Sequence, residues 1–372
     1  MSKQNSPLVL GTERISKLLT QYAIPAIIAM TASSLYNMAD SIFIGHGVGP
    51  LAISGLALTF PLMNLAAAFG SLVGVGASTL VSVKLGQKDY EGANKVLGNV
   101  LVLNVVLGLA FTLVFMLLLD PILYFFGASE NTILYARDYM NVILIGNVIT
   151  HMYLGLNAVL RSSGFPKLAM YATLASVVIN CVLNPLFFGF GWGIKGSAWA
   201  TVISQVISLT GQLIHFSRPK ELLHFKKGIY RLKSEIVKGI LYIGMSPFLM
   251  NLCACLIVIL INRGLKEHGG DMAIGAYGIV NRVVFLFIMI IMGFNQGMQP
   301  IAGYNFGARQ YSRVTEVTKL TMKWAIGVAT TGFLLCQLFP SVIVRMFTTD
   351  PELIEAAVYG LHIVFAVFPI VG

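Results

Sequence analysis

Apolar runs of twenty to thirty residues follow one another along the chain, divided by short polar breaks near 46–51, 84–95, 120–132, 161–166 and 190–193. A helix needs ~20 mainly apolar residues to cross ~30 Å of hydrocarbon. On that measure the pattern predicts spans near 18–45, 52–83, 96–119, 133–160, 167–189 and 194–216, then, after a basic stretch, 236–262, 272–303, 320–343 and 353–372. Backbone groups in lipid must be satisfied within their own segment, and runs this long fit helices rather than the short alternating strands of a barrel. The expected fold is an all-α integral membrane bundle with about ten helices present.

Composition sharpens this reading. Of 372 residues, 56% are hydrophobic and 11% charged, whereas a soluble domain carries about a quarter charged residues. Soluble folds are thereby excluded. Cys181, Cys253, Cys255 and Cys336 all fall inside apolar runs, the wrong place for a secreted disulfide framework. Cys253 and Cys255 are two apart, off a common helix face, so no metal pair is expected there. The first nineteen residues lack a short apolar core followed by a cleavage site, so no removable signal peptide is read.

Charge orients the spans. Lys3, Arg14, Lys17, Lys84, Lys88, Lys95, Arg161, Lys167, the seven basic residues of 218–238, Arg309, Arg313, Lys319 and Lys323 fall on one side. Lys195, Arg263, Lys266 and Arg345 fall on the other. Cytoplasmic loops retain Lys and Arg, so the N-terminus and the 217–238 loop are expected in the cytoplasm of a multi-pass inner-membrane protein. The net charge of +10 then reports topology, and no nucleic-acid partner is expected. Arg137 and Arg282 lie near span ends, where snorkelling is open to them.

The halves echo each other at an offset of about 221: GQKDYEGANKV at 86–96 aligns with GARQYSRVTEV at 307–317, and Pro25 with Pro247. Corresponding spans keep the same orientation, as in a parallel repeat. The expected division is an N-terminal six-helix lobe over 1–217, a cytoplasmic linker over 218–238, and a C-terminal lobe over 239–372 that holds four of six helices. A complete second half would run roughly 65 residues further, so the repeat reads as C-terminally truncated.

Particular stretches resemble the MATE family, the multidrug and toxic compound extrusion transporters: SLYNMADSIFIGHGVGPLAISGLALTFPL (34–62), LGQKDY (85–90), LRSSGFPKLAMYATLASVVINCVLNPLFF (160–188) and GIKGSAWATVIS (193–204). The resemblance implies twelve transmembrane helices in two lobes, a central cavity, and export of cationic or amphipathic drugs driven by inward H+ or Na+. It implies cation coupling at an aspartate of the first helix, matched by Asp40, with partners matched by Asn180, Asn184 and Thr201. Many members carry aspartate where Asn184 stands, which leaves the coupling ion open.

The residues carry their own reading. Asp40 is the one acidic residue well inside an apolar run. A charge in the bilayer interior costs about 2.5 to 3.5 kcal/mol on insertion scales, so this carboxylate should face protein or water. Alternatively it sits at the outer interface, since counting from Leu18 places it about 33 Å along the helix. Asn180 and Asn184 share a helix face and offer oxygens to a cation or ordinary interhelical hydrogen bonds. Thr201 bonds either a neighbour or its own backbone. Pro25 marks a hinge or a static kink, and Gly70 with Gly74 a close helix contact. Tyr36, Met63, Phe69, Met245, Met289 and Met292 are soft side chains suited to an adaptable substrate cavity or to plain packing. Asn281, Gln299 and Asn262 are polar lining candidates. None of the six histidines, His46, His151, His215, His224, His268 and His362, makes a ligand spacing with another.

The expected function is thus a cation-coupled antiporter for small organic cations or amphipathic drugs, working as a monomer among lipids with no cofactor. The alternatives are a lipid-linked oligosaccharide flippase of the same superfamily and a non-transporting membrane protein. An enzyme would need a nucleophile with a base, or clustered His and carboxylates, inside the bilayer, and the sequence offers one carboxylate and amides.

Overall fold

The computed structural model describes residues 7–347 and 350–370; within them, the side chains of 7–8, 37–39, 41–42, 45–46, 50, 258–259, 262–263 and 265–275 are outside the description. Asn262, His46 and His268, named above, fall among these. The described residues form helices and turns, with no strand.

A 3-10 turn, Pro7–Gly11, leads into α1 (Ile15–Gly47), α2 (Pro50–Gly86), α3 (Tyr90–Leu117) and the short α4 (Leu119–Phe125). There follow α5 (Ile133–Ile145), α6 (Asn147–Ser162), α7 (Pro166–Gly189) and α8 (Gly193–Phe216). After the basic stretch come α9 (Ser234–Gly307), α10 (Tyr311–Leu338), α11 (Pro340–Arg345) and α12 (Pro351–Ala366). Among the described residues, seven helical lengths are long and apolar enough to cross a membrane, or eight with α5 and α6 as one bent span. Helices α8 and α10 are long enough, at 24 and 28 residues, but more polar. In α8 most of the polar residues, Ser197, Thr201, Ser204, Ser208, Gln212 and His215 among them, are buried against neighbours.

One expected span changes shape. The span drawn at 133–160 is broken into α5 and α6, which meet at 55°. Gly146 stands at the break, and a Cβ there would run into Val202, so the bend lets α8 approach the backbone closely. The spans drawn at 236–262 and 272–303 both lie within one helical run, α9, and remain two separate lengths able to cross a membrane. That run cannot be straight. Ile240 touches α2 at Gly76 and Gln299 touches it at Val75 and Thr79, yet a straight helix would separate Ile240 from Gln299 by about 89 Å. The run therefore doubles back, and its apolar lengths Ser234–Ile257 and Ala276–Gly307 are two antiparallel passes.

The repeat is visible in the elements. Helices α3 and α10 are both 28 residues long and begin and end 221 residues apart. Lys88 and Arg309, also 221 apart, both take the left-handed conformation, with φ of 60° and 59°. They turn the chain from α2 into α3 and from α9 into α10.

Apolar burial falls into three clusters. One joins both halves at the end where α1 begins, with Leu18, Leu19, Val81 and Leu85 against Ile240, Ile301 and Tyr304. The second lies at the far end of the first half, around Ile44, Leu62, Tyr139 and Ile194. The third lies within α9, α10 and α12, around Ile279, Ala329 and Phe365. The halves thus share a core at one end and keep separate cores elsewhere.

The basic stretch between the halves is fastened rather than slack. Asn94 donates to the Leu222 carbonyl and accepts from the His224 amide. Asn99 donates to the Arg231 carbonyl and accepts from the Lys233 amide. Both asparagines stand on α3 and are buried. Arg137 Nε and Nη2 donate to the two Asp120 oxygens at 2.8 and 2.6 Å.

Candidate functional site

Three helices each contribute a pair of polar residues four apart, one helical turn on one face. Tyr36 and Asp40 come from α1, Asn180 and Asn184 from α7, and Ser197 and Thr201 from α8. Because α7 and α8 are antiparallel, the pairs meet in two layers.

In the outer layer Asp40 Oδ1 accepts from Asn184 Nδ2 at 3.0 Å and from the Ser197 hydroxyl. In the inner layer the Tyr36 and Thr201 hydroxyls lie 2.7 Å apart, and Asn180 Nδ2 donates to Thr201 Oγ1 at 3.1 Å. Asn184 Nδ2 joins the layers by donating to Asn180 Oδ1 at 2.6 Å. Tyr139 of α5 is buried beside the cluster and acts electrostatically on Asp40.

Asp40 is 5% exposed, so its carboxylate faces protein. Among the described residues no Lys or Arg forms an ion pair with it. Its charge is met by amide and hydroxyl dipoles alone, and a buried charge without a counter-ion is costly. One acceptor stands close by: Asn184 Oδ1 is buried without a donor. A carboxylate, an orphaned amide oxygen and hydroxyls form a donor set that fits a proton or a hard cation such as Na+.

The structure brings together Asp40, Asn180, Asn184 and Thr201, all named from the sequence. It draws Tyr36, expected in the substrate cavity, into the same cluster. Sequence reasoning missed Ser197 and Tyr139. Ser197 is one turn before Thr201, so a helical projection of α8 would have found it. Tyr139 carries no such signal, because only the packing of α5 brings it to α1.

The other cavity candidates are dispersed. Phe69 wedges between Phe111 and Phe248, with ring centroids 5.5 and 5.0 Å away, and so touches both halves. The Met63 sulfur accepts from Thr59. Asn281, Met289 and Met292 are half-buried on the second pass of α9, while Met245, on the first, is exposed. Gln299, half-buried, donates from its amide to Thr79 Oγ1 at 2.6 Å across the contact between halves. A groove of about 570 Å³, lined by Tyr135, Asp138, Trp192, Lys195 and Trp199, involves none of these residues.

Pro25 lies inside α1 without interrupting its helical backbone. Gly70 and Gly74 pack on α6, at Leu154 and Gly155. Between the halves, a Cβ on Gly76, Gly86, Gly244 or Gly307 would strike a carbonyl of the opposite half. Arg313 of α10 donates to the Leu10 and Glu13 carbonyls. These contacts close the end of the bundle where α1 begins.

Known proteins share this architecture. The family model MatE matches residues 25–186 and 243–372. The multidrug export protein MepA of Staphylococcus aureus (strain N315) is 30% identical over 357 residues, 95% of this chain and 78% of that protein. The crystal structure of a MATE protein in the straight conformation gives a TM-score of 0.91 at 25% identity, covering 99% of this chain and 82% of its own. An outward-facing multidrug resistance MATE family transporter of the MOP superfamily gives 0.92 at 24% identity, over 100% of this chain and 82% of its own, a likeness of fold. With the family model matching most of its length and a 30% identical relative covering 95% of it, this chain belongs to the MATE family of membrane transporters.

Proposed function

We propose that the protein exports cationic or amphipathic organic compounds across the cytoplasmic membrane by antiport, driven by inward H+ or Na+ that binds at Asp40. The N-terminus and the 217–233 linker lie in the cytoplasm, following the distribution of Lys and Arg. The first six-helix lobe carries the coupling site, and the second supplies the other wall of the substrate path. The protomer works alone.

The observation that carries this reading is the buried Asp40, held by dipoles from α7 and α8 and lacking a cationic partner. Binding a cation there removes the cost of an uncompensated charge, and losing it restores that cost. Coupling requires that the two openings of the molecule hold the cation with different affinity, since a ligand shifts an equilibrium only by its differential binding. A membrane potential adds about 2.3 kcal/mol per 100 mV for each charge moved. With the N-terminus taken as cytoplasmic, the closed end where α1 begins supports reading this state as sealed toward the cytoplasm.

Ethidium efflux from proteoliposomes, with pH and Na+ gradients imposed separately, tests the reading. Asp40→Asn is expected to abolish gradient-driven efflux while the protein is made and inserted normally. Efflux at the normal rate by that variant would refute the assignment.

A further inference from the structure

Helix α8 carries a buried polar stripe far longer than the Asp40 cluster needs. Ser197, Thr201, Ser204, Ser208, Gln212 and His215 recur at intervals of three and four, and all are at most 7% exposed. Helix α7 faces the stripe in a constant register: Asn180 meets Thr201, Ser176 Oγ lies 3.3 Å from Ser204 Oγ, and Phe165 stacks edge-on against His215 at 4.5 Å. That register sets Ser208 opposite Thr173 and Gln212 opposite Ala169. Asn157 and Tyr153 of α6 reach Thr173 Oγ1 at this level, both at 3.3 Å.

Here the protein leaves polar atoms unmet. Ser208 Oγ and both polar atoms of Gln212 are buried without a partner, and an unsatisfied buried group costs about 1 to 3 kcal/mol. Three orphaned atoms one turn apart on one face are what buried water satisfies, at about three hydrogen bonds per molecule. From Ser197 to His215 the stripe runs about 27 Å at 1.5 Å per residue. It begins at the carboxylate and ends beside the basic linker. The ionisable groups along it are Asp40, Tyr36 and Tyr139 at one end, Tyr153 and Arg161 midway, and His215, Arg218 and Glu221 at the other.

We infer that the seam between α7 and α8 holds a file of water molecules at Ser208 and Gln212, through which a proton released by Asp40 leaves toward the cytoplasm inside the first lobe. Ser208 lies about 16 Å along α8 from Ser197, and the Tyr36, Thr201 and Ser204 hydroxyls occupy the interval. The O–H bond at Asp40 breaks as its proton passes into this hydroxyl relay, each oxygen accepting one proton and giving up another, until the water at Ser208 takes it. Each water then passes on one proton, and bulk water beyond His215 takes the last. Arg161, which donates to Asn157 Oδ1 at 2.6 Å, is a fixed positive charge beside the file, so protons pass without residing there. This inference rests on Asp40 being the coupling site.

The test uses the full chain in proteoliposomes loaded with pyranine, with an inward proton gradient and ethidium as substrate. A Ser208→Val, Gln212→Leu double variant is expected to bind ethidium normally and to lose at least about tenfold in coupled proton influx. A Ser208→Thr, Gln212→Asn variant, still polar, is expected to restore influx. Undiminished influx in the apolar variant, with Asp40→Asn inactive, overturns the pathway and leaves the coupling site standing. An equal loss in the polar variant reduces the seam to packing and also overturns it. Efflux that follows Na+ alone, without proton influx, overturns the pathway and not the site. Undiminished influx in Asp40→Asn overturns the proposed function itself. Should the apolar variant fail to fold, a density map of the unmodified protein decides: water between Ser208 and Gln212 supports the file, and a dry seam ends it.

Discussion

Asn184 Nδ2 stands 3.0 Å from Asp40 Oδ1, while the carbonyl oxygen of the same amide has no donor. One side chain thus steadies the carboxylate with one atom and presents an unused acceptor with another. Asn184→Leu removes both. A hydrogen bond to a charged group contributes about 1.5 to 3 kcal/mol, so gradient-driven efflux should fall roughly tenfold or more at unchanged expression, read by ethidium efflux. Ser197→Ala, which leaves Asn184 and Tyr139 in place, should lose less.

The glycines at the closed end set how near the halves approach. Gly76→Val or Gly244→Val puts carbons against the Ile240 or Leu72 carbonyl, and overpacking of this kind costs about 1 to 3 kcal/mol. The expected result is a lower melting temperature in detergent and, in membranes, increased labelling of cysteines placed at the end of this contact where α1 begins. Gly211→Ala, where a Cβ meets nothing within 4 Å, serves as the comparison and should melt like the unmodified protein.

Asp89 caps α3 by accepting from the Gly92 amide at 2.8 Å, and Lys84 Nζ lies 2.9 Å from its other oxygen. The Lys84 ammonium, chiefly, holds this carboxyl below its ordinary value of 3.8. A lowered folded-state value means that the ionised cap stabilises fully above the ordinary value and is lost as pH falls through the lowered one. Asp89→Ala should therefore cost about 1 kcal/mol near neutral pH, and the gap from the unmodified protein should narrow below about pH 3.8. Gln310 holds the same place before α10 and makes no side-chain cap, so Gln310→Ala should change the melting temperature little.

Asn99 spans the basic stretch by holding a carbonyl and an amide of the same strand of chain. Asn99→Ala leaves those backbone groups unmet and should cost about 1 to 3 kcal/mol. Limited proteolysis checks it: cleavage after Arg231 or Lys233 should become faster, while cleavage elsewhere stays as before.

Much of this architecture was legible because lipid imposes a simple code. A helix in hydrocarbon must be apolar for about twenty residues, and the exceptions, Asp40 and the Asn180 and Asn184 pair, are conspicuous against that background. What could not be read were features that depend on which faces meet. The bend at Gly146 answers to Val202 on another helix, and Tyr139 reaches Asp40 only through the placement of α5. Gln299 reaches Thr79 across the contact between halves, and a polar residue on an apolar helix gives no sign of such a partner.

Lys88 and Arg309 have a consequence for what each corner tolerates. With one left-handed residue, each corner passes the chain between long helices in three residues, 87–89 and 308–310, leaving no length to absorb an insertion. One added residue would rotate the following helix by about 100° about its axis, turning Asn94 and Asn99, or the apolar stripe of α10, away from their partners. Indels should therefore be tolerated on the opposite rim, near residue 128, and rejected at these two corners.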